Sequence, residues 1–229
     1  MDLKDKRIRV IVGHYGSGKT EFSVNYAIKL AEQGKKTALV DLDIANPYFR
    51  SRERQELLEE KGVLVFSNTF GFDITADLPA ITARIKGPLE DFKCATVVDA
   101  GGDNSGARIL IQFEKYFTKP DCDMFCVING NRPETKTVEG AYNHISMIQK
   151  ETGIKITGLI NNTHLLKETK VEDVLNGYQL CLTLSKTLNI PIKYNCCFNE
   201  LLDQLKDQTK NFKNFTIFAM NLYMSSLKQ

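Results

Sequence analysis

Apolar residues along this chain gather into short runs instead of alternating with polar ones. Runs rich in β-branched side chains occur at IRVIV (8–12), TALVDL (37–42), VLVF (63–66), ATVVDA (95–100), MFCVIN (124–129), ITGLIN (156–161) and PIKYN (191–195). Strands buried on both faces read this way. Between the runs, apolar residues take up helical spacing. In EFSVNYAIKLAEQG, Phe22, Tyr26 and Leu30 recur every fourth residue and Gly34 follows as a stop. RSRERQELLEEKG, ARILIQFEKYF, TVEGAYNHISMIQKETG and VEDVLNGYQLCLTLSKTLN are further predicted helices. The alternation predicts an α/β fold, a doubly wound and mostly parallel sheet with helices on both faces in three αβα layers. No internal repeat or low-complexity linker interrupts residues 1–229, so one domain is expected. The last stretch, NFKNFTIFAMNLYMSSLKQ, places Phe212, Phe215, Phe218 and Leu222 on one helical face, with Lys210, Lys213 and Lys228 nearby. It predicts a helix packed on the domain, in preference to an amphipathic membrane anchor, because apolar residues surround most of the wheel.

Composition changes this picture little. Hydrophobic residues make up 42% and charged residues 25%, and the formal net charge is +2. A balance so near neutral gives no global signal for nucleic acid. No apolar run approaches the roughly 18 residues of a membrane span. The opening MDLKDKRIRV has no apolar core of a secretory signal, so a cytoplasmic protein is expected. The six cysteines lack the paired spacings of a zinc site and are expected reduced and inert, Cys122 and Cys126 in or near the core.

Chemistry enters at GHYGSGKT, residues 13–20, between the first run and the first helix. Gly13, then Gly18, Lys19 and Thr20 match G-x-x-x-x-G-K-[ST], with a strand before and a helix after. Such a loop wraps phosphates with inward-pointing N–H groups, and the helix N-terminus adds its dipole. Chance alone gives the match in roughly one chain of this length in a hundred. The predicted nucleotide-binding residues are Gly13, Tyr15, Gly16, Ser17, Gly18, Lys19, Thr20 and Glu21. Lys19 would reach the β- and γ-phosphates and Thr20 would ligate Mg²⁺. Tyr15 also reads, with His14, as loop surface turned to a partner.

Two more strand ends carry carboxylates. In DLDIANPYFRSRER, Asp41 and Asp43 are two apart, which puts both on one face at the carboxyl end of a strand. Either can orient water or Mg²⁺, Asp43 being the stronger candidate; the alternative is a helix cap or a solvated pair. Asn46-Pro47 breaks the chain where a switch loop would lie. In VVDAGGDNSG, Asp99 to Gly102 fits D-x-x-G, with the carboxylate accepting from Mg²⁺-bound water and the Gly102 N–H near the γ-phosphate. Asp103 reads as a cap of the next helix. Catalysis thus falls to Lys19, Asp43 and Asp99, and metal binding to Thr20, Asp43 and Asp99.

Together, GHYGSGKT, DLDIANP, VVDAGG and NGNRPET resemble the P-loop ATPases of the MinD/ParA/Mrp group, within the CobQ/CobB/MinD/ParA nucleotide-binding family and related to the signal-recognition GTPases. The resemblance covers nearly the whole chain. It implies ATP or ADP with Mg²⁺, slow hydrolysis, a homodimer with sandwiched nucleotide, and a protein client. It also implies that Asp43 orients the attacking water and that Asp99 is the Walker B acid. One departure is His14, where many members carry a lysine that reaches across the dimer. Arg50, Arg52 or Arg54 could replace that charge, although a solvated helix face explains all three.

For the base, GTPases of related classes use N-K-x-D, whereas this chain has Asn161-Asn162-Thr163-His164. A side-chain amide of Asn161 or Asn162 offers adenine both a donor and an acceptor, so ATP is favoured over GTP. The segment Asn195-Cys196-Cys197-Phe198 resembles the family stretch beside the base, which places Cys197 there. The expected function is a nucleotide-driven switch. A small-molecule kinase or ligase, with a pocket built from residues 67–88, and a binding scaffold without turnover are the alternatives.

Overall fold

The computed structural model describes residues 3–43, 55–67, 78–102 and 109–223. Eight strands form one sheet: β1 (Ile8–Gly13), β2 (Thr37–Asp41), β3 (Val63–Ser67), β4 (Ala95–Asp99), β5 (Cys122–Ile128), β6 (Gly158–Asn161), β7 (Ile192–Phe198) and β8 (Ile217–Met220). Their order is β3-β2-β4-β1-β5-β6-β7-β8 and every pairing is parallel. The described helices are α1 (Lys19–Glu32), α2 (Gln55–Glu60), α3 (Leu78–Glu90), α4 (Glu114–Phe117), α5 (Val138–Thr152), α6 (Val171–Leu188) and α7 (Leu202–Thr209).

Parallel strands need crossovers, and the crossover helices cover both faces of the sheet. Val10, Val12, Val98, Met124 and Leu159 pack on one side with Ile145 and Ile148 of α5 and Leu184 of α6. Ile11, Val97, Phe125, Val127 and Ile160 pack on the other with Phe22, Tyr26 and Leu30 of α1 and Leu58 of α2. Adjacent strand residues are therefore both buried, which is why the runs did not alternate. Among the described residues no helix is long and apolar enough to cross a membrane.

The last stretch departs from its predicted helix. Ile217–Met220 is the edge strand β8, in register with Asn195–Phe198 of β7. Phe218 is fully buried, stacked on Tyr26 with ring centroids 5.7 Å apart and close to Phe22 at 4.9 Å. Phe215 instead meets Tyr178 edge-on at 4.7 Å. Apolar residues all round a helical wheel were the signature of a four-residue strand followed by an apolar strap. Helices α3 and α7 were not foreseen either. Gly87 and Pro88 punctuate α3, and α7 buries only Leu205 and Thr209. The end of α3 is closed from outside: the Arg7 guanidinium donates to the carbonyls of Leu89 at 2.9 Å and Asp91 at 3.1 Å. Asn46, Pro47, Arg50, Arg52, Arg54, Asp103 and the 68–77 part of the alternative substrate stretch lie outside the described residues.

Candidate active site

The site stands at the carboxyl ends of the central strands, as open α/β sheets dictate. β1 runs into Gly13 and the loop turns back, with the Ser17 N–H donating to His14 O at 3.0 Å. Gly18 caps α1 with φ +84°, and a Cβ there would meet Asn162 Nδ2 at 2.4 Å. Glycine is thus required twice over, for the left-handed backbone and for the close approach of a neighbouring strand's side chain. Asn162 uses that approach to donate to Ser17 O at 2.8 Å. From the other side, Arg132 Nε donates to Gly16 O at 2.8 Å. The loop is thereby held in shape by side chains that follow β5 and β6.

Lys19 and Thr20, the first two residues of α1, are buried, as are Asp43 and Asp99. Asp41 and Asp99 face each other in the β2–β4 ladder. Asp41 Oδ1 accepts the Asp43 N–H at 3.0 Å, so Asp41 shapes the turn that presents Asp43. Asp99 is fully buried. Its Oδ1 accepts from Ser23 Oγ at 3.3 Å, while Oδ2 has no hydrogen-bond partner among the described residues. Burial pushes its pKa up to about 6, against the pull of Lys19 and of the Thr20 hydroxyl; the Asp43 charge adds to the rise. Gly102 lies so close that a Cβ there would fall 1.7 Å from Gly13 O, locking the Asp99 loop against the phosphate loop.

From here a cavity of about 340 Å³ extends along α1. Tyr15, Gly16, Gly18, Lys19, Thr20, Glu21, Asp43, Arg132 and Asn162 line it at the loop. His164, Leu166, Phe198, Met220 and Leu222 line the remainder. Burial, and then the nearby Arg132 charge, lower the His164 pKa to about 4, so the ring is neutral near pH 7. Its Nδ1 accepts the Leu166 N–H at 3.2 Å, which leaves the proton on Nε2.

The profile of the CobQ/CobB/MinD/ParA nucleotide binding domain matches residues 10–176. The chain belongs to this family. No curated protein matches its sequence. In structure, this CobQ/CobB/MinD/ParA-type domain is similar to FtsY of Thermotoga maritima at 21% identity and a TM-score of 0.54, over 83% of this chain and 62% of that one. FtsY of Mycoplasma mycoides gives 21% and 0.54, over 84% and 60%. The signal recognition particle 54 kDa protein of Aeropyrum pernix K1, solved with GDP, gives 22% and 0.55, over 84% and 42%. The chain thus spans less than two thirds of each of these proteins, and likeness at such identity establishes the P-loop NTPase fold alone; nucleotide binding follows from the family profile.

Within this family member, four predicted contacts need correction: Asn161, Cys197, Gly13 and Gly102 do not line the cavity. Asn161 is fully buried below the cavity, its Nδ2 donating to Val174 O at 2.8 Å and to Asn195 Oδ1 at 3.0 Å. The amide is spent on joining β6 to α6 and β7. Cys197 packs against Val171, Val174 and Leu205, away from the cavity, while the next residue in its strand, Phe198, faces it. Strand alternation separates the two. Gly13 and Gly102 act on the loop from behind and do not line the cavity. Arg132, Leu166, Met220 and Leu222 were missed as site residues, and Phe198 was named only as part of the stretch beside the base, with Cys197 placed there in its stead. NGNRPET pointed to Arg132, because the turn bonds Asn131 N and Thr135 Oγ1 back onto Asn129 at 2.9 and 2.7 Å and aims that arginine at the loop.

The donor set fits Mg²⁺. The orphaned Oδ2 of Asp99 is an acceptor prepared for a group from outside, and Thr20 and Asp43 are beside it. Among the described residues no group of three or more His, Cys, Asp or Glu forms a metal cage. Mg²⁺ needs none, since one or two carboxylates and the phosphates themselves suffice. Thr20, Asp43 and Asp99 would hold it.

Proposed function

We propose that the chain binds ATP with Mg²⁺, hydrolyses it slowly, and serves as a nucleotide-driven switch for a protein client, as a homodimer. The observation that carries the adenine reading is the lining of the cavity beyond the loop. Guanine presents two donors on one edge and is read by a carboxylate. Here N-K-x-D is absent, and its last position holds neutral His164 with a donor on Nε2. Of the two carboxylates that line the cavity, Asp43 belongs to the phosphate end, and Glu21 Oε1 accepts the Tyr223 N–H at 2.6 Å. Adenine, whose ring nitrogens accept and which lacks guanine's N1–H and N2–H₂ donor pair, suits the neutral His164 Nε2 donor better.

In this reading the loop N–H groups and Lys19 bind the β- and γ-phosphates and stabilise the charge that develops on them. Asp43, held by the turn on Asp41, orients the attacking water. Ser23 and Thr20 hold the Asp99 carboxylate in place. Mg²⁺, when bound, would neutralise the phosphate oxygens. Asp43 follows β2 by two residues and Asp99 ends the neighbouring β4, so loss of the γ-phosphate alters two loops at once, as a switch requires. GTP is the second reading, favoured by the GDP in the Aeropyrum pernix neighbour.

A thermal-shift titration with ATP and GTP, each with Mg²⁺, on the wild type and Lys19→Ala, tests this. Ligand at 100 times its dissociation constant stabilises by about 2.7 kcal/mol. The expected result is an ATP shift that Lys19→Ala loses and GTP does not reproduce. An equal or larger GTP shift overturns the adenine reading. Light scattering with and without ATP tests the dimer.

A further inference from the structure

Beyond β8 the chain stays on the molecule, held by side chains instead of a strand. The ladder with β7 ends at Met220 opposite Phe198. The next peptide unit is gripped by Asn25, a residue inside α1 that is only 2% exposed. Asn25 Oδ1 accepts the Asn221 N–H at 2.8 Å, and Nδ2 donates to Asn221 O at 2.9 Å. The amide thus imitates the edge of a neighbouring strand. Nδ2 also donates to Glu21 O at 2.8 Å, and Glu21 Oε1 takes the Tyr223 N–H at 2.6 Å. On the far side Asn199 Nδ2 donates to Asn221 Oδ1 at 2.7 Å.

Met220 and Leu222, on either side of the gripped unit, both line the cavity, next to Phe198. Asparagine is a poor residue for a helix interior, and its burial is unfavourable unless every polar atom is bonded. Here both polar atoms bond Asn221 of the strap, and Nδ2 also reaches the Glu21 carbonyl and, at 3.4 Å, Glu21 Oε1. The helix that presents Lys19 and Thr20 to the phosphates therefore also fixes, from Glu21 in the same turn and Asn25 in the next, the apolar wall farther along the cavity.

We infer that Asn25 and Glu21 are positioning residues for nucleoside recognition, clamping residues 220–223 so that Met220 and Leu222 form the wall against which the base lies. The inference rests on the nucleotide reading above. It separates the site into two parts. The loop recognises phosphates unaided, whereas preference for a nucleoside triphosphate over a bare phosphate chain depends on the clamped strap.

Calorimetric titration of the whole chain with Mg²⁺ and ATP, GTP or inorganic tripolyphosphate tests it, on the wild type, Asn25→Ala, Tyr223→Pro and Leu222→Ala. Tyr223→Pro deletes the N–H that Glu21 accepts, and Tyr223→Phe, which removes only the phenol oxygen bonded by Asn221 Nδ2 at 3.2 Å, is its control; the pair keeps the test usable if Asn25→Ala fails to fold. The preferred nucleotide should bind about tenfold more weakly to Asn25→Ala and Tyr223→Pro, the scale of one or two lost anchors, and tripolyphosphate within about twofold of wild type. Leu222→Ala should behave alike, with a smaller loss. Variants that bind nucleotide like the wild type, or that lose nucleotide and tripolyphosphate in equal measure, overturn the clamp and leave the nucleotide reading standing. A wild type that binds neither nucleotide overturns both.

Discussion

Asp99→Asn keeps the shape of the buried carboxyl and deletes its charge. In the folded, nucleotide-free chain the Asp99 pKa is about 6, against 3.8 for an ordinary aspartate. Below pH 3.8 the group is neutral in both folded and unfolded chains and has no effect on the balance. Between 3.8 and 6 the unfolded chain loses its proton and the folded one does not, so stability falls as pH rises. Above about 6 the penalty is complete, and a shift of about two units corresponds to about 3 kcal/mol. Asparagine escapes this penalty. The attraction of the ionised carboxylate to Lys19 is already contained in the net rise to about 6, so it adds nothing further, and the acid titration of buried histidines is common to both proteins. The quantity to follow is therefore the difference in stability between variant and wild type, measured without nucleotide or Mg²⁺ by thermal unfolding from pH 4 to 8. The variant should gain on the wild type across this range by about 3 kcal/mol, roughly 6 to 12 °C in midpoint for a chain of this size. With Mg²⁺ and nucleotide at pH 7.5 the order should narrow or reverse, because the wild type alone has the Asp99 carboxylate to offer beside Asp43. A difference that stays flat from pH 4 to 8 would refute the view that Asp99 is held at a desolvation cost.

Two further outcomes follow from the same geometry. His144 is buried with Nε2 unpartnered, and burial, then the nearby His14 and Lys19, lowers its pKa to about 4. Since its unfolded value is 6.5, its neutral form supports the fold above that pH and the support is lost as pH falls, so His144→Phe should gain about 2 kcal/mol relative to wild type between pH 7.5 and 5 in urea unfolding; no gain sinks the assignment. Gly102→Ala places a methyl 1.7 Å from Gly13 O, and should lower stability by at least about 3 kcal/mol and abolish the nucleotide-induced thermal shift. A variant of wild-type stability would mean that the two loops are not locked together.

The fold was legible because burial on both faces of a parallel strand leaves a compact apolar run, and seven of the strands carry one. The phosphate end of the site was legible for a different reason. Backbone wrapped around phosphates demands glycines at fixed spacing, and a lysine and two strand-end aspartates follow in fixed places. The base end has no such grammar. Phe198, Met220 and Leu222 are ordinary apolar residues whose role comes from where β7 and β8 end. Asn161 and Asn162 are neighbours of the same type, yet strand alternation sends one into the core and the other onto Ser17 O. Asn25 was not singled out in the sequence, and only the docked strap gives its burial a cause.

The strand order also sets a timetable. β1 is near the amino end of the chain but in the middle of the sheet, between β4 and β5. While the chain is being synthesised, its apolar run therefore waits for about 85 residues before its first partner emerges and for about 110 before its second. The phosphate loop cannot take its final shape until Asn162 has been made, nor the cavity until the strap has closed. Contacts so distant in sequence make for slow folding with exposed apolar edges along the way. Ribosome-bound fragments that end before residue 95 should accordingly depend on chaperones, and nucleotide should begin to protect the chain from proteolysis only after the residues around 222 have cleared the exit tunnel.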